Sequence, residues 1–233
     1  MERILQRWYD MISINSVNGH EAAMADYVAN VLREIGMDPH CSYFDEDTAR
    51  ERPSLWSVLD SGRPGKTVLL IGHLDTVGVS DRWDTDPFVP TEIDGKVYGR
   101  GAMDMKGGLA AQLTVLKCLR AEGKKLNAAI EFVGLADEER HSIGANAYVT
   151  KAKLAARDSR EAVFLMGEPH YDNLVIGATG KALLSLRVQG KEGHASTPER
   201  GVNAIDCMAT LLCAMQKKYM PQYERGERAS YCC

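Results

Sequence analysis

Short apolar segments alternate with amphipathic segments along most of the chain. Residues 67–71, 128–136 and 162–166 are mostly apolar runs, typical of strands that are buried on both faces. Between them, residues 109–119 carry apolar side chains at helical spacing up to Gly123, and another helix is expected at residues 145–154. This alternation predicts an α/β fold with a mainly parallel sheet and helices on both faces.

The flanking segments add further predicted elements. Two helices are expected before a strand at residues 55–59. The first covers residues 3–14, and the second includes Ala23 and stops at Gly36. After Glu168 the pattern changes to two consecutive strands followed by a helix from Gly201, capped by Asn203. The two strands are expected at residues 174–179 and 182–188. We therefore expect two domains, residues 1–178 and the start of an α+β unit at residues 179–233.

Composition and charge narrow the possible functions. The chain has 233 residues and a net charge of −4, and its Lys and Arg residues form no stripe, so no nucleic-acid partner is expected. No apolar run approaches the roughly 20 residues that span a bilayer, and the charged N-terminus does not resemble a signal peptide. The six cysteines lack metal-site or disulfide-scaffold spacing, which favours reduced core thiols in a cytoplasmic protein.

Acidic residues and one histidine follow the apolar runs. They lie in IGHLDT, GRGAMDMKGG, LADEER and MGEP, and are His73, Asp75, Asp104, Asp137, Glu138, Glu139 and Glu168. Acidic residues are rarely buried unless they are paired or bind a metal. Because ligands bind beyond the carboxyl ends of parallel strands, we expect these side chains to converge there. Oxygen and imidazole ligands from four separate segments are what a two-metal hydrolytic site requires.

Each of these signals is weak when it is taken alone. Glu138 and Glu139 are adjacent anions, which usually lie on a solvated face but here repel unless a cation compensates. The glycine loop around Asp104 lacks the third glycine of a dinucleotide-binding motif, and the chain has no G-x-S-x-G nucleophile motif. His194 lies in a polar loop, where it could donate a hydrogen bond to a developing oxyanion.

The order of these motifs resembles one enzyme family. The segments HLDTV, WDTDPF, GRGAMDMKGG, DEE, GEP and GHASTPERGVNA are similar to those of the M20 family of zinc amidohydrolases and peptidases. That family includes acetylornithine deacetylase, succinyl-diaminopimelate desuccinylase, glutamate carboxypeptidases and aminoacylases. The resemblance implies a catalytic domain at residues 1–178 and part of a dimerisation or lid domain at 179–233.

The resemblance also implies a role for each candidate residue. His73, Asp104 and Glu168 would hold one zinc ion, and Asp104 would bridge to a second zinc that Glu139 also binds. Asp75 would orient His73, and Glu138 would be the general base acting on water. His194 would reach the site of a partner subunit in a homodimer. The family binds two Zn²⁺ per subunit, and carboxylate-rich sites of this kind also accept Co²⁺ or Mn²⁺.

The expected activity is hydrolysis of the amide bond of N-acyl amino acids. Members of the family run further than this chain, so we expect a C-terminally truncated member that lacks one ligand of the second zinc. Two alternatives remain open. One is a catalytically incompetent fragment or pseudoenzyme that retains only metal binding or dimerisation, and the other is a dipeptidase or carboxypeptidase of the same family.

Overall fold

The computed structural model describes residues 2–42, 52–63, 65–123, 125–151, 162–170, 173–177 and 184–224. The chain divides into two compact units, Met1–Leu174 and Val175–Cys233. The predicted assignment of domains to residues 1–178 and 179–233 stays a prediction.

The first unit contains four helices and seven strands among its described residues. The helices are α1 (Glu2–Ile12), α2 (Ala22–Glu34), α3 (Gly108–Glu122) and α4 (Ile143–Lys151). The strands are β1 (His40–Ser42), β2 (Ser54–Leu59), β3 (Thr67–His73), β4 (Thr91–Ile93), β5 (Lys96–Tyr98), β6 (Ala129–Leu135) and β7 (Ala162–Met166). The predicted helices and apolar strands are therefore present at nearly the expected positions.

Five of the strands form one mixed sheet in the order β1-β2-β6-β3-β7. Strands β6, β3 and β7 are parallel, as the apolar runs predict. Strand β2 pairs antiparallel with β6, and β1 pairs antiparallel with β2, so one side of the sheet is antiparallel. The direction of β2 is not visible in its own apolar pattern, because burial does not depend on strand direction.

Apolar side chains of successive strand residues pack into cores on opposite faces of the sheet. Leu70 and Phe132 lie in the larger core, which α1, α2 and α3 cover. Leu69 and Val133, their neighbours in sequence, lie in a smaller core with Tyr148 of α4. The sheet is therefore flanked by helices on both faces.

The connections between the parallel strands change direction at β3. The chain passes from β3 through α3 to β6 on one side, and then through α4 to β7 on the other side of β3. Right-handed crossovers in opposite directions place their helices on opposite faces. The carboxyl end of β3, where His73 lies, is thus the switch point at which open α/β sheets bind ligands.

Two strand predictions differ from the structure in the first unit. Strands β4 and β5 form a hairpin within a stretch that we expected to be loop-rich. Its turn residues Asp94 and Gly95 both have positive φ, of 52° and 73°, and Asp-Gly is a strong hairpin signal. Strand β7 was expected to be buried, but Phe164 is 52% exposed and Met166 is 61% exposed because β7 is an edge strand of the sheet.

The second unit contains one long helix, α5 (Ala204–Glu224), after a short turn of 3₁₀ helix at Pro198–Arg200. Asn203 caps α5, because its Oδ1 accepts the N–H of Ile205 at 2.9 Å. The predicted strands at 174–179 and 182–188 are not strands in their described residues, 174–177 and 184–188. Ile176 is 94% exposed and Leu184 is 79% exposed, so these side chains are not covered as those of a buried strand would be. Residues 178–183 lie outside the described residues.

Helix length and cysteine exposure bear on two further predictions. Among the described helices, none combines the length and the apolar character that crossing a membrane requires. The described cysteines are free thiols, as expected, but they are exposed and not part of the core; they are Cys41, Cys118, Cys207 and Cys213.

Candidate metal centre

The ends of the three parallel strands bring most of the candidate side chains together. His73 is the last residue of β3, Glu138 and Glu139 follow β6 after a short turn, and Glu168 lies two residues beyond β7. Asp104 comes from the irregular turn at Ala102–Gly107 that leads into α3. Segments that are far apart in the sequence therefore meet at one edge of the sheet.

His73 is buried, and both of its ring nitrogens have polar neighbours. Nδ1 lies 2.9 Å from the backbone carbonyl oxygen of Asp75 and 3.5 Å from its carboxylate. Nε2 lies 2.9 Å from Asp104 Oδ1 and 3.4 Å from Glu168 Oε1. With Nδ1–H donating to Asp75, Nε2 faces the two carboxylates, where it can carry either a proton or a metal ion.

One ligand atom each from His73, Asp104 and Glu139 lie within 4.8 Å of one another. Glu168 approaches the same imidazole nitrogen as Asp104 does. One imidazole and several carboxylates are a donor set that suits Zn²⁺ and other divalent ions. The residues that are present therefore fit a divalent cation at this position.

The charges of the centre favour a cation beside His73. Burial acts to lower the pKa of His73, but hydrogen bonds to Asp75 and Glu168 outweigh it and raise that pKa to about 11. The hydrogen bond from His73 lowers the pKa of Glu168. For Asp75, burial opposes ionisation, yet hydrogen bonds from His73 and Asn18 lower its pKa. Ionised carboxylates around an imidazole attract a proton or, in its place, a metal ion.

The two adjacent glutamates have the opposite tendency. Partial burial raises the pKa of Glu138; His73 acts to lower it, and the negative charges of Glu168 and Asp75 raise it further. Partial burial and the charge of Asp104 likewise raise the pKa of Glu139. A carboxylate whose pKa is raised accepts a proton more readily, which is what a general base requires.

The Asp75 carboxylate holds the turn that carries these glutamates. Its Oδ1 accepts the backbone N–H of Glu138 at 3.1 Å, and its Oδ2 accepts that of Glu139, also at 3.1 Å. Asn18 Nδ2 donates to the same Oδ2 at 2.7 Å. Asp75 is almost fully buried, so the three hydrogen bonds satisfy a charge that would otherwise be costly to bury.

Two hydrogen bonds and a glycine fix the turn that carries Asp104. Trp8 Nε1 donates to the carbonyl oxygen of Ala102 at 2.7 Å, and the buried Lys106 donates to the carbonyl oxygen of Ile14 at 2.8 Å. Gly101 begins this turn with φ of 74°, in the left-handed region that favours glycine. A Cβ at Gly101 would lie 2.5 Å from Thr76 Cγ2, so the turn also requires glycine sterically.

Solvent reaches the centre through a cleft of about 240 Å³. Residues 99–104 form one wall of this cleft, and Thr76, Val77 and Glu139 complete it. Asp104 has a side chain that is 58% exposed. A small molecule can therefore approach the ligand atoms of Asp104 and Glu139 from this side.

The sequence assigns no role to four polar residues behind the centre. Asp137 is fully buried, and its carboxylate is an ion-pair partner of Arg52. Arg52 also pairs with the buried Glu21 at 3.2 Å, and Asn18 donates to both Asp75 and Asp137. Only Asp137 had a signal in the sequence, as the first acidic residue after a buried strand.

His194 belongs to the second unit, Val175–Cys233. It lies in an exposed turn, and its Nδ1 is 2.8 Å from Ser196 Oγ. The backbone N–H of Ser196 also donates to Nδ1 at 3.2 Å. Both contacts involve Nδ1, so the other ring nitrogen, Nε2, takes part in neither of them. The predicted role of His194 stays a prediction.

Comparisons with known proteins identify the family of the chain. Residues 69–228 match the model of the peptidase family M20/M25/M40. The chain is 34% identical over 215 residues to a succinyl-diaminopimelate desuccinylase of Rhodopseudomonas palustris, covering 88% of this chain and 54% of the relative. Human carnosine dipeptidase 1 superposes with a TM-score of 0.62 at 28% identity, over 75% of this chain and 39% of that structure. A tripeptidase of Staphylococcus aureus has the same fold, with a TM-score of 0.63 at 23% identity, over 91% of this chain and 56% of that structure.

The chain spans about half the length of the curated relatives that it matches. The matched family region includes each residue predicted to bind metal or act in catalysis, from His73 to His194.

Proposed function

Because the chain belongs to the peptidase family M20/M25/M40, we propose that it is a metal-dependent hydrolase that cleaves the amide bond of N-acyl amino acids. The observation that carries this proposal is the group of ligand atoms from His73, Asp104 and Glu139 within 4.8 Å of one another. This group lies at the switch point of the sheet, beside a cleft that admits a small molecule.

The proposed ligands divide between two divalent ions, which we propose to be zinc. His73 and Glu168 would bind the first ion, Glu139 would bind the second, and Asp104 would bridge both. Bound there, the ions would supply Lewis-acid activation of water and of the scissile carbonyl group. The donor set also accepts Co²⁺ or Mn²⁺.

The protein's own residues would then move the proton. Glu138 lies beside the ligand cluster and has a raised pKa, so we propose that it takes a proton from the attacking water and delivers it to the leaving nitrogen. Asp75 would keep His73 in one orientation and hold Glu138 and Glu139 in register through their backbone N–H groups. Attack by water would require no covalent intermediate with the protein.

Two substrate classes have support. The 34% identity to a succinyl-diaminopimelate desuccinylase favours N-acyl amino acids of the succinylated or acetylated kind. The likeness to human carnosine dipeptidase 1, at 28% identity, favours a dipeptidase as the second candidate. We rank the deacylase first because the identity is higher and covers more of the chain.

Further proposals concern His194 and the setting of the enzyme. We propose that His194 stabilises the developing oxyanion in the active site of a partner subunit, which makes the enzyme a homodimer. Residues 1–178 would form the catalytic domain, and residues 179–233 would belong to the dimerisation or lid domain. The free described thiols support a cytoplasmic location.

Metal analysis combined with turnover tests the proposal. The chain, dialysed against zinc and then desalted, should retain zinc and hydrolyse N-succinyl or N-acetyl amino acids faster than dipeptides. Faster cleavage of dipeptides would favour the second candidate. Zinc binding without turnover of either class would support the alternative of a catalytically incompetent fragment or pseudoenzyme, and a failure to bind zinc or any other divalent ion would contradict the proposed function.

A further inference from the structure

A buried polar network lies behind the candidate metal centre and connects the segments that carry its residues. Its members are Asn18, Glu21, Arg52 and Asp137. Glu21 and Asp137 are both fully buried, and Arg52 is the cation between them. Two buried carboxylates without a cation would repel each other and lose solvation, so Arg52 supplies the positive charge that compensates them.

The network fixes the backbone of Asp137, the residue immediately before Glu138. Asp137 has φ of 64°, in the left-handed region that few residues other than glycine adopt. Its backbone N–H donates to Glu21 Oε1, and its Oδ2 accepts the N–H of Ile143, both at 3.3 Å. Oδ1 is held by the guanidinium of Arg52. This conformation turns the chain after β6 so that the next two N–H groups face Asp75.

Asn18 connects this turn to the turn after β3. Its Nδ2 donates to Asp75 Oδ2 at 2.7 Å and to Asp137 Oδ1 at 3.2 Å, and its Oδ1 accepts from Arg52 Nη2 at 3.3 Å. The amide therefore has one orientation, with its donors toward the carboxylates and its acceptor toward the cation. The Asn18 side chain thus contacts Asp75 in the turn after β3 and Asp137 in the turn after β6.

We propose that Asn18 and Arg52 are positioning residues that lock the turn at residues 137–139 against the turn at residues 73–75. In this way they set the separation of Glu139 from His73, and so the geometry in which a divalent ion binds. Asn18 contacts Asp75 and Asp137, and Arg52 pairs with Asp137 and Glu21, so both act on the metal ligands through these carboxylates. This inference rests on the proposed function, because it assigns a role relative to the metal centre.

Zinc affinity of the full 233-residue chain tests the inference. Asn18→Ala and Arg52→Met should each weaken zinc binding by about tenfold to a hundredfold, the usual effect of removing a group that supports metal ligands. The affinity is measured by competition with a chromophoric chelator. The absorption spectrum of bound Co²⁺ should also change in both variants, because the ligand geometry changes while the ligands stay.

An exposed pair of the same chemistry provides matched controls. Arg63 Nη1 donates to Asn127 Oδ1 at 2.8 Å on the surface, away from the centre. Arg63→Met and Asn127→Ala should leave both the zinc affinity and the Co²⁺ spectrum unchanged. The double variant Asn18→Ala with Arg52→Met should bind zinc no more than about tenfold more weakly than the single variant with the lower affinity, since both side chains hold the same turn.

The possible results separate the inference from the proposed function. Wild-type zinc affinity and an unchanged Co²⁺ spectrum in Asn18→Ala would overturn the inference while leaving the proposed function intact. A wild-type chain that binds no divalent ion would overturn both. If Arg52→Met does not fold, Asn18→Ala still decides the matter, because it leaves the ion pairs of Arg52 in place. A lower unfolding midpoint of the metal-free variant with unchanged zinc affinity would assign these residues a purely structural role.

Discussion

The backbone carbonyl oxygen of Asp75 lies 2.9 Å from His73 Nδ1, closer than the carboxylate of the same residue, which lies at 3.5 Å. The carboxylate oxygens accept the backbone N–H groups of Glu138 and Glu139 in the turn after β6. Asp75 thus orients the imidazole with its main chain and holds the glutamate turn with its side chain. The sequence predicts that Asp75 orients His73, but not that its carboxylate also holds the glutamate turn.

This division of tasks predicts the effect of Asp75→Asn. The carbonyl contact to His73 stays, but an amide nitrogen would face a backbone N–H donor where a carboxylate oxygen now accepts. We expect zinc affinity to fall by about tenfold to a hundredfold, as for other groups that support metal ligands. Competition titration with a chelator measures the loss. The exposed Asp81→Asn is the matched control, and a wild-type affinity in Asp75→Asn would contradict the assigned role.

The adjacent glutamates should differ in what their replacement removes. Glu138→Gln should lower kcat by a factor of at least about 100, the low end for general-base catalysis, while zinc content stays at the wild-type level. Glu139→Gln should instead reduce bound zinc, because Glu139 belongs to the ligand cluster. Parallel measurement of zinc by mass spectrometry and of turnover distinguishes the two. Loss of zinc from Glu138→Gln would mean that base and ligand are interchanged.

The parallel part of the fold follows from the sequence, whereas the edges of the sheet do not. Residues 67–71 and 128–136 are apolar along most of their length, a pattern typical of strands covered on both faces. The antiparallel strand β2 has an apolar pattern of the same kind, so its direction could not be predicted. Residues 174–177 are apolar enough for a strand, but a strand also needs a partner, which an isolated segment of sequence does not reveal.

In the candidate site, too, the sequence predicts some residues and not others. The convergence of His73, Glu139 and Glu168 could be predicted because each ends or follows an apolar run, and parallel strands end at one edge of a sheet. Asn18 and Arg52 could not be predicted, because their partners are 57 and 85 positions away in the chain. A polar residue in a loop has no pattern that reveals a distant buried carboxylate.

Zinc binding should release protons near neutral pH. Because the pKa of His73 is raised to about 11, its imidazole is protonated at pH 7 until a metal ion displaces the proton. Apparent zinc affinity should therefore rise with pH, by about tenfold per unit for each proton released. Calorimetry at pH 7 in two non-chelating buffers of different ionisation enthalpy counts the protons, and we expect at least one. Equal binding enthalpies in the two buffers would contradict this expectation, and His40→Gln, which alters an exposed histidine of β1, should not change the count.

Close packing of glycine against glycine should hold Glu168 in place. Gly108 begins α3 with ordinary helical dihedral angles, so alanine there would by itself add up to about 1 kcal/mol of stability. However, its Cβ would lie 2.1 Å from the carbonyl oxygen of Gly167, which is backbone that cannot rotate away. The cost of such overpacking is about 1–3 kcal/mol, so the clash should outweigh the helical gain.

Gly108→Ala should therefore lower the free energy of unfolding and weaken zinc binding together, because Gly167 precedes Glu168. Urea unfolding in the presence of a chelator measures the first effect, and competition titration measures the second. Gly78→Ala is the matched control, since a Cβ there meets no atom within 4 Å, and it should change the free energy of unfolding by less than about 0.5 kcal/mol. A Gly108→Ala variant that is more stable than wild type and binds zinc equally well would show that β7 shifts to accommodate the methyl group without moving Glu168.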